Sequence, residues 1–155
     1  MASQIELDAT YMGVALLHAK LSKARRSRVG ACLVTRQGVC IPGYNGTPIG
    51  LDNNCEDRVL SYLDNFQTET LVTKSEVIHA ELNCILKAAK EGISCKHATA
   101  YVTLSPCVPC AAMLINAGIT RLVYQDIYRD TQGLDLLQKA GIVTENFKGY
   151  SDAGI

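Results

Sequence analysis

The chain has 155 residues, 48% of them hydrophobic, which fits one globular domain with a single substantial core. With 15 Lys and Arg against 15 Asp and Glu the formal net charge is zero, so neither a basic coat for long polyanions nor an acidic disordered tail is present. No run approaches the roughly 20 apolar residues of a membrane-spanning helix, and a soluble protein with no membrane partner is expected.

Met12, Ala15, Leu16 and Ala19 recur at helical spacing over residues 8–25, with Asp8 placed to cap the start. Residues 1–8 carry Glu6 and Asp8 but no Lys or Arg, the opposite of a secretory leader, so a cytoplasmic location is expected. Lys20, Lys23, Arg25, Arg26 and Arg28 form a basic cluster that can bind one phosphate or simply favour a helix C-terminus. Residues 28–35 read as a strand and, across Gln37-Gly38, residues 39–44 as its antiparallel partner. Pro42 cannot donate to a ladder, which puts that second strand at a sheet edge or on a bulge. Residues 45–75 are turn-rich at first and long for a connection, with a short helix predicted around 58–65.

Helical spacing returns over 79–90 through Leu82, Ile85, Leu86 and Ala89 and stops at Gly92. Residues 98–104 are a buried strand, after which Ser105-Pro106 opens a helix running to Ala117 and ended by Gly118. A strand over 119–125, a helix over 133–140 and a strand over 142–147 complete the order α-β-β-α-β-α-β-α-β. Strands joined through helices are most simply parallel with right-handed crossovers. The expected fold is α/β, a five-stranded mixed sheet with helices on both faces.

The 7 cysteines, an odd number with several inside apolar runs, suit reduced thiols and a metal better than a disulfide framework. His79-Ala80-Glu81 and Pro106-Cys107-Val108-Pro109-Cys110 each open a predicted helix. Cys107 and Cys110, at i and i+3, share one helix face near a positive dipole end that favours thiolates. With His79 as a third ligand they can hold a tetrahedral zinc that keeps one position for water, as catalytic sites do. Glu81 is rotated by about 200° from His79 along a helix and is no simple co-ligand. A long carboxylate near the helix end can still reach the open position and serve as general base.

Two other readings use the same residues. A redox Cys-Val-Pro-Cys pair leaves His79 and Glu81 unexplained, and a closed structural zinc completed by Cys84, Cys95 or His97 leaves Glu81 idle. Cys55, Cys95 and His97 make no second ligand-spaced pair, so no second zinc is expected. Cys32, Cys40 and Cys84 read as small core residues.

The two motifs together match the signature of zinc nucleobase deaminases. With Arg28-Val29-Gly30-Ala31-Cys32, Gly43-Tyr44-Asn45-Gly46, His79-Ala80-Glu81-Leu82-Asn83 and Thr103-Leu104-Ser105-Pro106-Cys107, the chain resembles the deoxycytidylate (dCMP) deaminases of the cytidine deaminase superfamily over nearly its whole length. The likeness is to the short bacterial and phage type. In tRNA adenosine deaminases the His-Ala-Glu word follows the asparagine much sooner, whereas here residues 46–78 intervene. The zero net charge also points away from RNA or any other nucleic-acid partner.

The resemblance implies a three-layer α/β/α cytidine-deaminase-like fold in one domain over 1–155. It implies zinc-dependent hydrolysis of dCMP to dUMP and ammonia, a supply step for dTTP, with hydroxide on zinc attacking C4 and Glu81 carrying a proton to N3 and then to the leaving amino group. Ala80, Leu104 and Ser105 would read the cytosine edge and Asn45 a sugar hydroxyl, although Asn45-Gly46 is also a common turn former. Ser22, Arg26, Tyr128 and Arg129 would hold the phosphate, with Tyr128 closing over the nucleotide. Residues 46–78 would be a regulatory insertion, with dCTP activating and dTTP inhibiting as Mg2+ complexes at Gly43, Gly46, Glu56, Arg58 and Lys74, in a homohexamer. The alternatives are deamination of tRNA adenosine or a cytidine nucleoside, and a non-enzymatic zinc-stapled nucleotide sensor.

Overall fold

The structure, a computed structural model, describes residues 1–147. Helix α1 (Gln4–Ala19) leads into strands β1 (Gly30–Val34) and β2 (Cys40–Tyr44), then β3 (Glu56–Leu63) and β4 (Phe66–Thr73). Helix α2 (Ala80–Glu91), strand β5 (Thr99–Leu104), helix α3 (Val108–Ala117), strand β6 (Arg121–Asp126), helix α4 (Gln132–Lys139) and strand β7 (Val143–Asn146) follow.

The main sheet has the order β2-β1-β5-β6-β7. β1 runs antiparallel to β2 and β5, while β5, β6 and β7 are mutually parallel, so the expected five-stranded mixed sheet is found. Side chains of a strand alternate between faces, and β1 shows the result. Ala31 and Leu33 pack with Cys84 and Ala88 of α2, Leu114 of α3 and Leu137 of α4, whereas Cys32 and Val34 pack with Met12 and Ala15 of α1. The sheet therefore carries helices on both faces. β2 is an edge strand, as Pro42 requires, and Lys87 Nζ donates to the Pro42 carbonyl at 2.6 Å.

Three local expectations are corrected. Helix α1 starts earlier, because Ser3 caps it in a capping box with Glu6, and it ends at Ala19, so the basic residues 23–28 lie on a loop. Asp8, freed from capping, reaches across the sheet: it accepts from Arg121 Nη1 at 2.7 Å, Arg121 Nη2 at 2.6 Å and the Tyr101 hydroxyl at 2.8 Å. The third correction concerns residues 58–65, which are no helix. β3 and β4 form a separate antiparallel hairpin in the register Leu63↔Phe66, turning through Asp64 and Asn65 at φ 49° and 67°. Two successive left-handed residues match the right-handed twist of a tight hairpin, and Thr68, Thr70 and Val72 favour the extended state.

Among the described residues no helix is long and apolar enough to cross a membrane. Gly30, where β1 begins, lies directly under α1: a Cβ there would run into the Ala15 carbonyl and stand 2.6 Å from Ala19 N. Only glycine lets the helix settle this low on the sheet.

Candidate active site

The first turns of α2 and α3 carry the chemistry. Their N-cap positions, where Ser, Thr, Asp or Asn would ordinarily bond the helix, hold His79 and Cys107, and neither side chain caps. Both are turned to each other instead. His79 Nδ1 lies 3.5 Å from Cys107 Sγ and 3.3 Å from Cys110 Sγ. One ligand atom from each residue falls within 4.8 Å of the others, and among the described residues this is the single group of three placed to share a metal. Cys84, Cys95 and His97 are not part of it.

Hydrogen bonds from Cys110 and His79 bring Cys107 down to about 4, while the bond to Cys107 and burial push Cys110 up. The bond to Cys107 also raises His79 above its usual value. Two cysteine sulfurs and an imidazole nitrogen within 4.8 Å of one another are a donor set that zinc takes. Glu81 stands beside them, 4% exposed, with burial holding its carboxyl above the usual range.

Glu81, His79 and Cys107 border a cavity of about 220 Å³. Of the substrate residues read from the sequence, Arg26, Asn45, Ala80, Leu104, Ser105 and Tyr128 line it. Two do not. Ser22 is fully buried, its hydroxyl donating to the Asn45 carbonyl at 2.8 Å and accepting from Ala24 N at 3.2 Å, so it shapes the loop. Arg129 is exposed, its guanidinium 5.8 Å from the centre of the Tyr128 ring. The Asn45 amide accepts from Val29 N and donates to the Ser27 carbonyl, each at 2.9 Å, which fixes the loop that carries Arg26. Ser105 Oγ accepts from Tyr128 N at 2.7 Å and so places Tyr128 at the rim.

The five residues expected at an effector site lie on β2 and the loop after it, on β3 and just after β4. Glu56 lines the cavity just described, accepting from Arg25 N at 2.9 Å and Arg26 N at 3.1 Å. Gly43 is buried under α2, where a Cβ would come within 2.7 Å of the Ala80 carbonyl, so packing uses its missing side chain. Gly46 borders a second groove of about 720 Å³ with Lys87 and Lys90. Arg58 pairs with Glu69 at 3.3 Å on the exposed hairpin, and Lys74 stands 4.0 Å from Asp57. Sequence reasoning missed Thr73, a cavity residue whose Oγ1 accepts from Arg26 Nη1 at 3.2 Å. No local pattern marks it, because hairpin pairing alone brings the end of β4 here.

Residues 5–126 match the family described as the cytidine and deoxycytidylate deaminase zinc-binding region. The chain belongs to this family. It is 35% identical to human deoxycytidylate deaminase over 149 residues, covering 92% of this chain and 80% of the relative. To the deoxycytidylate deaminase of Enterobacteria phage T4 it is 32% identical over 170 residues, covering 89% and 88%. The fold is similar to the dCMP deaminase of cyanophage S-TIM5, solved in complex with dCMP and dUMP, with a TM-score of 0.81, 34% identity, and coverage of 94% of this chain and 100% of that one. The family is described by its zinc-binding region, and the group formed by His79, Cys107 and Cys110 offers a donor set that fits Zn2+.

Proposed function

We propose that the chain hydrolyses dCMP to dUMP and ammonia. The observation that carries this reading is the convergence of His79, Cys107 and Cys110 beside the buried carboxyl of Glu81, in a cavity that also holds a cation at Arg26. The relatives named above support the choice of dCMP. Zinc held by the three ligands supplies Lewis acidity that makes water nucleophilic at neutral pH.

The remaining work falls to the chain's own groups. Glu81, whose burial holds its carboxyl above the usual range, would take one proton from the attacking water and pass it to N3, then take the second from the hydroxyl formed at C4 and pass it to the departing amino group. Water and dCMP enter, and dUMP and ammonia leave. Ala80 N–H at the start of α2 and the Leu104–Ser105 turn face the pyrimidine edge. Arg26 binds the phosphate, Asn45 holds the sugar-side loop, and Tyr128, set by Ser105, closes over the nucleotide with Arg129 outside it.

Regulation belongs to the same proposal. The second groove, with Gly46 on its wall and Lys87 and Lys90 beside it, has room and cations for a Mg2+-triphosphate, dCTP activating and dTTP inhibiting. Gly46 is bridged to Ile78, one residue before the His79 ligand, which gives the effector a short path to the metal centre. The exposed apolar hairpin tip, Leu63 and Phe66 at 74% and 76%, suits burial in the homohexamer, in the cytoplasm.

The test is the ultraviolet assay of dCMP conversion by zinc-loaded protein, alone, with Mg2+ and dCTP, and with Mg2+ and dTTP. Turnover raised by dCTP and lowered by dTTP is expected. Unregulated turnover removes the effector assignment, and turnover of cytidine or tRNA in place of dCMP overturns the substrate.

A further inference from the structure

We propose that Cys32 and Cys40 are a site of reversible oxidative modification, closing to a cross-strand disulfide when the protein meets a peroxide. The inference stands apart from the dCMP reading, because neither cysteine borders the cavity that holds Glu81.

Both residues lie on the hairpin at the edge of the main sheet. β1 and β2 pair antiparallel with Cys40 opposite Val34 and Cys32 opposite Pro42, so the two cysteines are diagonal neighbours on one face of the ladder. That face looks towards α1: Cys32 is fully buried in the cluster of Met12 and Ala15, and the half-buried Cys40 packs at its margin. The sulfurs stand 2.7 Å apart, and both cysteines are free. From this contact to a disulfide bond of about 2.05 Å they have about 0.7 Å left to travel.

The two thiols take different parts in an oxidation. The Cys32 thiol donates to the Cys40 sulfur, which lowers the Cys40 pKa, while the same bond and burial raise that of Cys32. Cys40 is also the more exposed of the two, on an outer strand of the sheet, so its thiolate is the one a peroxide reaches. Attack by the Cys40 sulfur on a peroxide oxygen forms an S–O bond, breaks the O–O bond and releases hydroxide, which takes up the proton that Cys40 gave to water. Cys32 then attacks the sulfenic sulfur of Cys40: the S–S bond forms, the S–O bond breaks, and the leaving hydroxide departs as water with the Cys32 proton. Two thiols are oxidised and one peroxide is reduced to two waters. The other cysteines compete poorly. Burial pushes the thiols of Cys55, Cys84 and Cys95 up, that of Cys84 to about 12, and Cys107 and Cys110 are the pair proposed to hold zinc. Where thiols are otherwise kept reduced, a disulfide of this kind is transient and responds to oxidant.

The experiment treats zinc-loaded wild type, Cys40→Ser, Cys32→Ala and Cys55→Ser with a few equivalents of hydrogen peroxide, alkylates the free thiols in denaturant, and reads intact mass and unreduced tryptic peptides. In wild type two of the 7 thiols should escape alkylation, dithiothreitol should restore both, and zinc should stay bound. Cleavage at Arg28, Arg36 and Arg58 leaves Cys32 in peptide 29–36 and Cys40 together with Cys55 in peptide 37–58. The bridge should join these two peptides, fragment to Cys40, and persist in Cys55→Ser, whereas Cys40→Ser and Cys32→Ala should not form it. A full set of alkylated thiols in peroxide-treated wild type overturns the proposal without any variant. So does a bridge that fragmentation assigns to Cys55 or to any other pair, an oxidation that dithiothreitol does not reverse, or a loss of thiols that begins only after zinc has left.

Discussion

Gly133, in the first turn of α4, lies so close to Pro106 that a Cβ on it would overlap the Pro106 carbonyl and stand 3.0 Å from the Cys107 carbonyl carbon. The contact seats α4 against the segment that presents a metal ligand. Gly133→Ala must therefore push Pro106 and Cys107 aside. We expect a loss of about 1–3 kcal/mol of stability together with weaker zinc retention, read by thermal melts and by zinc analysis after dialysis against a mild chelator. A variant that melts lower but keeps its zinc would show that the ligand loop adjusts independently of α4.

Glu81→Ala removes the proposed proton carrier and none of the three residues proposed to hold zinc. Turnover of dCMP should fall by about 10²- to 10⁴-fold while one zinc per chain remains. Metal analysis and the ultraviolet assay on the same sample distinguish this from a folding defect, and zinc loss in this variant would place Glu81 among the ligands.

Stripping the metal with a strong chelator should abolish activity and lower the melting temperature, because a ligand that binds only the folded chain stabilises it by mass action. Added zinc should restore both. Cys107→Ser should fail to recover at the same zinc concentration, since its alcohol stays protonated where the thiol is held at about 4.

Arg26→Ala tests the phosphate contact. The KM for dCMP should rise about 10-fold or more while any turnover of deoxycytidine is unchanged, because only a ligand bearing a phosphate meets the guanidinium. Equal loss on both would mean that the contact of Arg26 with Thr73 matters for the shape of the cavity alone.

Asp8 ties α1 to β5 and β6 through Tyr101 and Arg121, and Arg121 is shared with Glu145. Burial raises the Asp8 pKa, yet the bonds from Arg121, Tyr101 and Gln4 prevail and hold it below its usual value. An Asp in the unfolded chain titrates near ~3.9, so the stabilisation is fully present above that pH and is lost as pH falls through the lower folded value. Asp8→Asn should cost about 2–3 kcal/mol at pH 7, roughly 4–12 °C in melting temperature. Its melting temperature should also fall less steeply than that of wild type between pH 5 and pH 3, as followed by circular dichroism.

Much of this architecture is written locally. Apolar runs over 98–104 and 119–125, Gly92, Gly118 and Gly141 after helices, and Pro42 on an edge are signals that depend on neighbours a few positions away, and each element formed where its signal lay. The group proposed to hold zinc was legible for a related reason. His79 and Cys107 stand at helix starts, so their presentation follows from the start of the helix itself.

Other features depend on residues far apart in the chain. The mixture of polar and apolar residues over 58–65 suits either a helix or a strand, and pairing with residues 66–73 through Asp64 and Asn65 settles it. Asp8 looks like a cap until β6 brings Arg121 beneath α1. Glu56 carries no local mark of its surroundings, which are the Arg25 and Arg26 backbone, 31 and 30 positions earlier, bound to one of its oxygens. Helix starts, turns and core runs are decided by short-range backbone and burial preferences, which composition and spacing express directly. The environment of a buried charge is decided by which distant groups the packed sheet and helices bring against it, and no pattern local to that residue carries the information.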